Sequence, residues 1–316
     1  MGTCHCGKDT QDSRTSYTHK GGQLKIRLSA CSAFSLSSVV RSHGWSELTP
    51  FGICSDGLEY VDRLDSGRVV VLLIAQYRNG VTVEVSDCLD DLEREEVARK
   101  VGWMVGLNQD LSAFYSVIRN EPRLANVEER SQGRVLRCPT LFEDAVKTIL
   151  TTNTNWRGTM HMVDALVAGF GDPLPSDTKR HAFPAPERIG GLDPEELRTV
   201  ARLGYRAPHV VELARAVATG GLKLESFKDT EMTTHELRKC LLAIKGVGPY
   251  AAANLLMIIG RYDFVPVDSW AVRLVSREWY QGEPVGKAEV EAAFARWGKW
   301  QGLCYWLWDW AHRKGV

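Results

Sequence analysis

No apolar run in this chain is long enough to cross a bilayer; the best stretch, Leu72–Ala75 with its flanks, has the length of a strand. Net charge is missing as well, with 39 Lys and Arg set against 39 Asp and Glu. That balance is awkward for a nucleic-acid binder, which needs positive charge facing the phosphates. It excludes none, because a small basic patch can coexist with an acidic far side and backbone N–H groups bind phosphate unaided. The eight cysteines follow no regular framework, which suits reduced thiols in a cytoplasm. Cys4 and Cys6 form a C-x-C pair with no second pair to complete a zinc site, so no metal is expected. Residues 1–22 are polar and Ser/Thr-rich without the apolar core of a secretory signal, and they read as a loose tail.

What is present is 44% hydrophobic residues over 316 positions, enough for two or three packed units. Residues 23–88 read as short strands at Leu24–Leu28, Phe51–Ile53, Leu58–Leu64, Val69–Gln76 and Val81–Val85, with a helix at Leu36–Ser42. Asn79-Gly80 is a hairpin signal between the last two strands. From residue 89 onward the apolar spacing becomes three and four. It predicts helices at Leu92–Val105, Leu111–Ile118, Leu141–Thr151, Thr159–Phe170, Pro194–Leu203, Ala207–Thr219 and Thr233–Ile244, separated by breakers such as Pro139 and Gly190-Gly191. The expected class is α+β: an antiparallel sheet with one helix on it, then a mainly helical region at 89–316 in two lobes.

Residues 237–273 carry the chemistry. Leu237, Leu241 and Ile244 share one face of a helix that ends in Lys245-Gly246-Val247-Gly248-Pro249. A second, more apolar helix follows over Tyr250–Gly260, so 237–260 reads as helix, hairpin, helix. Two glycines one residue apart permit backbone geometry closed to other residues and let a phosphate approach the N–H groups at the second helix's start. Such a turn grips a DNA backbone without reading sequence. An ordinary interhelical turn would look much the same. Val265-Pro266-Val267-Asp268-Ser269-Trp270 comes next. An acid in so apolar a stretch is costly unless bonded, capping a helix or functional, and capping can coexist with function.

Hairpin, apolar helix and V-P-V-D together resemble the signature of the helix-hairpin-helix (HhH-GPD) base-excision DNA glycosylases. Leu203-Gly204-Tyr205-Arg206-Ala207 resembles the wedge segment of the 8-oxoguanine DNA glycosylases, and Thr152-Asn153-Thr154-Asn155 their asparagine-bearing turn. Trp297-Gly298-Lys299-Trp300 and the sheet-first layout also resemble the 3-methyladenine DNA glycosylase II family. The resemblance runs from about Leu24 to His312 and is strongest over Leu203–Arg273. It implies double-stranded DNA as partner, a monomer, no membrane, and a cytoplasmic, nucleoid-associated location if the source is prokaryotic. Asp268 takes the catalytic role: a carboxylate beside the sugar stabilises the cation that develops as the base departs and orients the incoming water. Lys245, Gly246, Val247, Gly248 and Tyr250 correspond to the backbone-gripping hairpin. Tyr205, with Arg206 beside it, would fill the gap left by a flipped base, and Asn153 would bond the orphaned partner. Bifunctional relatives carry a Schiff-base lysine just after the turn, where this chain has Tyr250, so the resemblance implies a monofunctional enzyme. It leaves room for a monovalent cation at the turn and implies no other cofactor. Four closely spaced C-terminal cysteines, needed for an iron–sulfur cluster, are lacking, since Cys304 alone follows Cys240.

The base to be removed is less legible. Candidate pocket residues are Trp156, Tyr250, Asn254, Trp270, Tyr305, Trp306 and Asp309. Seven of the ten tryptophans fall in the last 47 residues, and Trp306, Trp308 and Trp310 cannot share one helical face. Aromatic walls suit an electron-poor alkylated purine through cation–π attraction. Asn254 and Asp309, as amide and carboxylate acceptors, also suit a bulky modified cytosine, such as glucosylated hydroxymethylcytosine of phage DNA in antiviral defence. Asn254 stands where 8-oxoguanine enzymes have a cysteine, and Tyr305 and Asp309 where they have a glutamine and a phenylalanine, which puts oxidised guanine in doubt. Two other classes are a silent DNA-binding module, which an abasic-site assay separates, and an enzyme for free nucleosides, which would leave the hairpin without purpose.

Overall fold

The computed structural model describes residues 14–20, 23–55 and 57–308. Six strands form one antiparallel sheet: β1 (Thr15–Lys20), β2 (Gln23–Ser29), β3 (Phe51–Cys54), β4 (Gly57–Arg63), β5 (Val69–Gln76) and β6 (Gly80–Val85), in spatial order β1-β2-β6-β5-β4-β3. Within the loose tail expected over 1–22, residues 15–20 form a strand. Thr15–Lys20 pairs in register with Gln23–Ser29, from Thr15 opposite Leu28 to Lys20 opposite Gln23. Its polar residues hide a strand because an edge strand need bury no face.

Alternation along the central strands sorts their side chains. Leu58 and Tyr60 of β4 and Val70, Leu72 and Ile74 of β5 enter the main core, whereas Val61 and Val71 point to the other face. There a small two-stranded hairpin, β7 (Pro173–Leu174) with β8 (Asp177–His181), covers them through Leu174 and Ala182. Its short strands carry no period the sequence could reveal.

The helices are α1 (Leu36–Val40), α2 (Asp91–Met104), α3 (Ser112–Ile118), α4 (Leu141–Leu150), α5 (Trp156–Phe170), α6 (Pro186–Gly190), α7 (Pro194–Thr199), α8 (Ala207–Ala218), α9 (Thr234–Leu242), α10 (Pro249–Ile259), α11 (Ser269–Trp279), α12 (Lys287–Phe294) and α13 (Gln301–Trp308). The α+β architecture is as the periodicity implies, an antiparallel sheet followed by a mainly helical body. Every residue of α4 is buried, making it the axle on which sheet and helices meet. Two of its ionisable residues are matched to each other: Glu143 pairs with Lys147 at 2.7 Å and accepts a 2.6 Å hydrogen bond from Tyr60 of β4. Such pairing is what allows ions into a core.

Candidate active site

Between α9 and α10 the chain makes the tight turn anticipated from its two glycines. Gly246 has φ +86°, in the left-handed region, and a Cβ there would meet the Cβ of His209 at 2.9 Å. Gly248 caps α10 with Pro249 at the first helical position. Val247 is buried and its N–H closes the turn on the Ile244 carbonyl at 3.0 Å, so it serves the core rather than a ligand. The N–H groups of Gly246 and Gly248 meet no protein acceptor among the described residues. Lys245, expected at the phosphates, instead reaches Glu212 of α8 at 2.8 Å, with both side chains exposed.

Asp268 is the N-cap of α11, with extended backbone and a 2.8 Å hydrogen bond from the Ala271 N–H to Oδ1. The Tyr305 hydroxyl approaches the same oxygen at 3.3 Å. Two donors on one oxygen fix the carboxylate's orientation. Oδ2 takes no hydrogen bond among the described residues, and the side chain is half-buried. It thus presents one unengaged carboxylate oxygen.

Adjacent residues of α13 link this carboxylate to a cavity of about 220 Å³, because Tyr305 bonds Asp268 and the next residue, Trp306, lines the cavity. Of the expected pocket residues, Trp156, Tyr250, Asn254 and Trp306 line it. Tyr305 is buried against Asp268 instead, and Trp270 lies under Arg273, 5.6 Å from its ring centroid, outside the cavity lining. Asp309 lies outside the described residues, as does Trp310. Trp308 belongs to the core, packed on Trp279 and Trp297 with centroids 5.0 and 5.2 Å away.

The sheet side supplies walls that the sequence did not mark. His43 and Trp45 stack obliquely at 4.6 Å, and His43 meets the edge of Trp306 at 6.0 Å. Backbone carbonyls orient two of these rings: Leu136 binds Nε2 of His43 at 2.7 Å, and Ser42 accepts from Nε1 of Trp306 at 2.8 Å. Trp45 donates its indole N–H to Oδ1 of the fully buried Asp144 at 2.7 Å. At the mouth, Trp156 donates to Glu47 at 2.7 Å and packs against Gly44, where any Cβ would fall 2.2 Å from the indole. No charged Asp, Glu, Lys or Arg side chain lines the cavity among the described residues. A Ser-His-Gly-Trp run after a short helix carries no signature by itself, so proximity alone reveals these walls.

Tyr205 stands half-exposed, and its hydroxyl accepts from Asn153 Nδ2 at 3.0 Å and lies 3.4 Å from Thr152 Oγ1. Asn153 itself has φ +47°, so this turn holds a backbone conformation uncommon for a residue with a side chain. Arg206 lies beside Tyr205, as expected, but on its buried side. It is buried, stacks on the Tyr205 ring at 4.6 Å and donates to the Thr152 carbonyl, tying the Tyr205 loop to the Asn153 turn from beneath.

Residues 146–299 match the family model described as HhH-GPD superfamily base excision DNA repair protein. A DNA-3-methyladenine glycosylase of Bacillus subtilis is 26% identical over 225 residues, spanning 70% of this chain and 74% of that protein. Among solved structures, a 3-methyladenine DNA-glycosylase from Archaeoglobus fulgidus superposes with a TM-score of 0.69 at 24% identity, covering 89% of this chain and 96% of that one. An 8-oxoguanine glycosylase/lyase of Clostridium acetobutylicum, solved with double-stranded DNA containing cytosine opposite 8-oxoguanine, superposes with a TM-score of 0.70 at 17% identity, covering 95% and 99%.

Proposed function

From a chain whose residues 146–299 match the HhH-GPD superfamily of base excision DNA repair proteins, we propose a monofunctional DNA glycosylase that everts an N-alkylated purine and hydrolyses its bond to deoxyribose. The observation that carries this reading is Asp268, oriented through Oδ1 by Ala271 and by Tyr305, whose neighbour Trp306 lines an aromatic-walled cavity. As the base departs, positive charge grows on the sugar ring. A fixed carboxylate stabilises that charge most in the transition state, and its unengaged oxygen orients or deprotonates the attacking water.

Duplex DNA is the proposed partner, held by the Gly246 and Gly248 amides at the hairpin and opened by Tyr205 as the base leaves the stack. No lysine lines the cavity among the described residues, which supports water rather than an amine as nucleophile and an abasic site as product. Trp45, Trp156, Trp306 and His43 offer ring faces and edges to a flat substrate, and a delocalised cation gains from such faces. A volume of about 220 Å³ with Trp156 in its lining suits a purine with a small alkyl group better than a base bearing a sugar.

Asp268→Asn tests the assignment. The variant keeps the cap on Ala271 and should bind duplex DNA as the parent does, while single-turnover excision falls roughly 10²–10⁴-fold. An unchanged excision rate would contradict it.

A further inference from the structure

The three indoles of the cavity lining place their N–H groups differently. Trp306 donates to a neutral acceptor, the Ser42 carbonyl, at 2.8 Å. Trp45 and Trp156 each donate to a carboxylate, Asp144 Oδ1 and Glu47 Oε2, both at 2.7 Å. Neither Asp144 nor Glu47 belongs to the lining itself. The cavity thus presents an uncharged wall with two acids behind it, each reached through an indole.

Asp144 is fully buried, so solvent does little to screen its charge. The lysine on the same helix, Lys147, is matched by Glu143 at 2.7 Å, and that pair leaves Asp144 as the net charge of α4's buried trio. Its Oδ2 has no hydrogen-bond partner among the described residues. A carboxylate held this way costs the free fold stability, and a positive guest across the indole offsets that cost. Two physical effects then act on whatever fills the cavity. An indole whose N–H is bonded to an anion is polarised toward a more electron-rich ring, and the carboxylate attracts a cation directly through a low-dielectric wall. Both favour a flat cation over a neutral molecule of the same shape.

We propose that Asp144 and Glu47 are positioning residues that set the specificity of this cavity, acting through Trp45 and Trp156 to select bases that carry a formal positive charge. The inference rests on the glycosylase reading above and narrows its substrate class to purines alkylated at a ring nitrogen that leaves the base cationic.

The test compares binding of two duplexes at pH 8, above the value of about 7 to which burial raises Asp144. One holds 3-methyladenine on a 2′-fluoro sugar, whose electron-withdrawing fluorine slows cleavage. The other holds 3-methyl-3-deazaadenine on the same sugar, equal in shape and uncharged. The parent should bind the cationic base more tightly than the neutral one. Asp144→Asn and Glu47→Gln each keep an acceptor for their indole, so the rings stay in place while the charge is lost. Asp144→Asn should narrow the ratio of the two affinities roughly 3–10-fold. Glu47→Gln should narrow it less, because Glu47 is exposed and screened. A merely structural role would weaken both duplexes alike and leave the ratio at the parental value, which overturns the proposal. A parent that binds the two duplexes equally overturns it too, and leaves the glycosylase reading standing. A parent that binds neither better than an unmodified duplex contradicts the glycosylase reading and this inference with it.

Discussion

Asp144 has no exposed surface, yet it carries an acid directly behind a wall of the cavity. Burial pushes its carboxyl up to about 7, against hydrogen bonds from the Trp45 indole and the Cys138 N–H that favour the charged form. Glu143 raises it further, while Lys147 is engaged with Glu143. In the unfolded chain the group returns to about 3.9. The folded protein therefore holds a proton that the unfolded chain lacks between about pH 4 and about pH 7. The stability it contributes is whole below that window and is lost as pH rises through about 7. Asp62, raised to about 6 by burial despite Lys100, acts with the same sign but is spent earlier. Between about pH 6.5 and pH 8, the parent should lose on the order of 1 kcal/mol that Asp144→Asn does not lose. Urea titrations across that range check this, and identical slopes in both proteins would contradict it. Asp268 was legible in the sequence and Asp144 was not, for a physical reason. Asp268 stands in a motif, whereas Asp144 reads as an ordinary acid in the first turn of a helix capped by Thr140, and burial alone sets it apart.

At the scale of elements, the turn between α9 and α10 makes a contrast between two glycines that look alike in sequence. Gly246 needs its left-handed φ and its clearance from His209, so Gly246→Ala should lower both melting temperature and duplex affinity. Gly248 has φ −85° and no atom within 4 Å of where an added Cβ would sit, so the fold should accept Gly248→Ala. That methyl nevertheless intrudes where a phosphate would approach the N–H groups, and duplex binding should weaken at constant melting temperature. Thermal melts paired with fluorescence-anisotropy titrations separate the two, and parental affinity in Gly248→Ala would contradict phosphate binding there. Most helices and strands were legible within a few residues because their apolar spacing is long and regular. Their ends were less so: α5 begins at Trp156 rather than Thr159 because the Asn155 side chain caps it by accepting from the Gly158 N–H at 2.8 Å. That shift matters, since it places Trp156 in the first turn, at the mouth of the cavity.

Across the whole molecule, the cavity draws His43 and Trp45 from the sheet region, Thr148 from α4, Trp156 from α5, Tyr250 and Asn254 from α10 and Trp306 from α13. Parts so far apart in the chain meet only because α4 is buried on every side and brings the sheet against the helices. No spacing rule exposes such a meeting, which is why resemblance points to Trp156, Tyr250, Asn254 and Trp306 but not to His43, Trp45 and Thr148. Tyr305, expected at the base, turns instead to Asp268, because successive residues of a helix face different directions.

The central claim is that this assembly releases a base by hydrolysis and leaves the strand whole. Incubation with a duplex holding 7-methylguanine, followed by mass spectrometry of the released base and of the strand, tests it directly. The account predicts free 7-methylguanine and an abasic strand that breaks on alkali treatment alone, with no adduct trapped by borohydride. No free base from this or any other alkylated duplex, or a covalent protein–DNA adduct after borohydride, would contradict it.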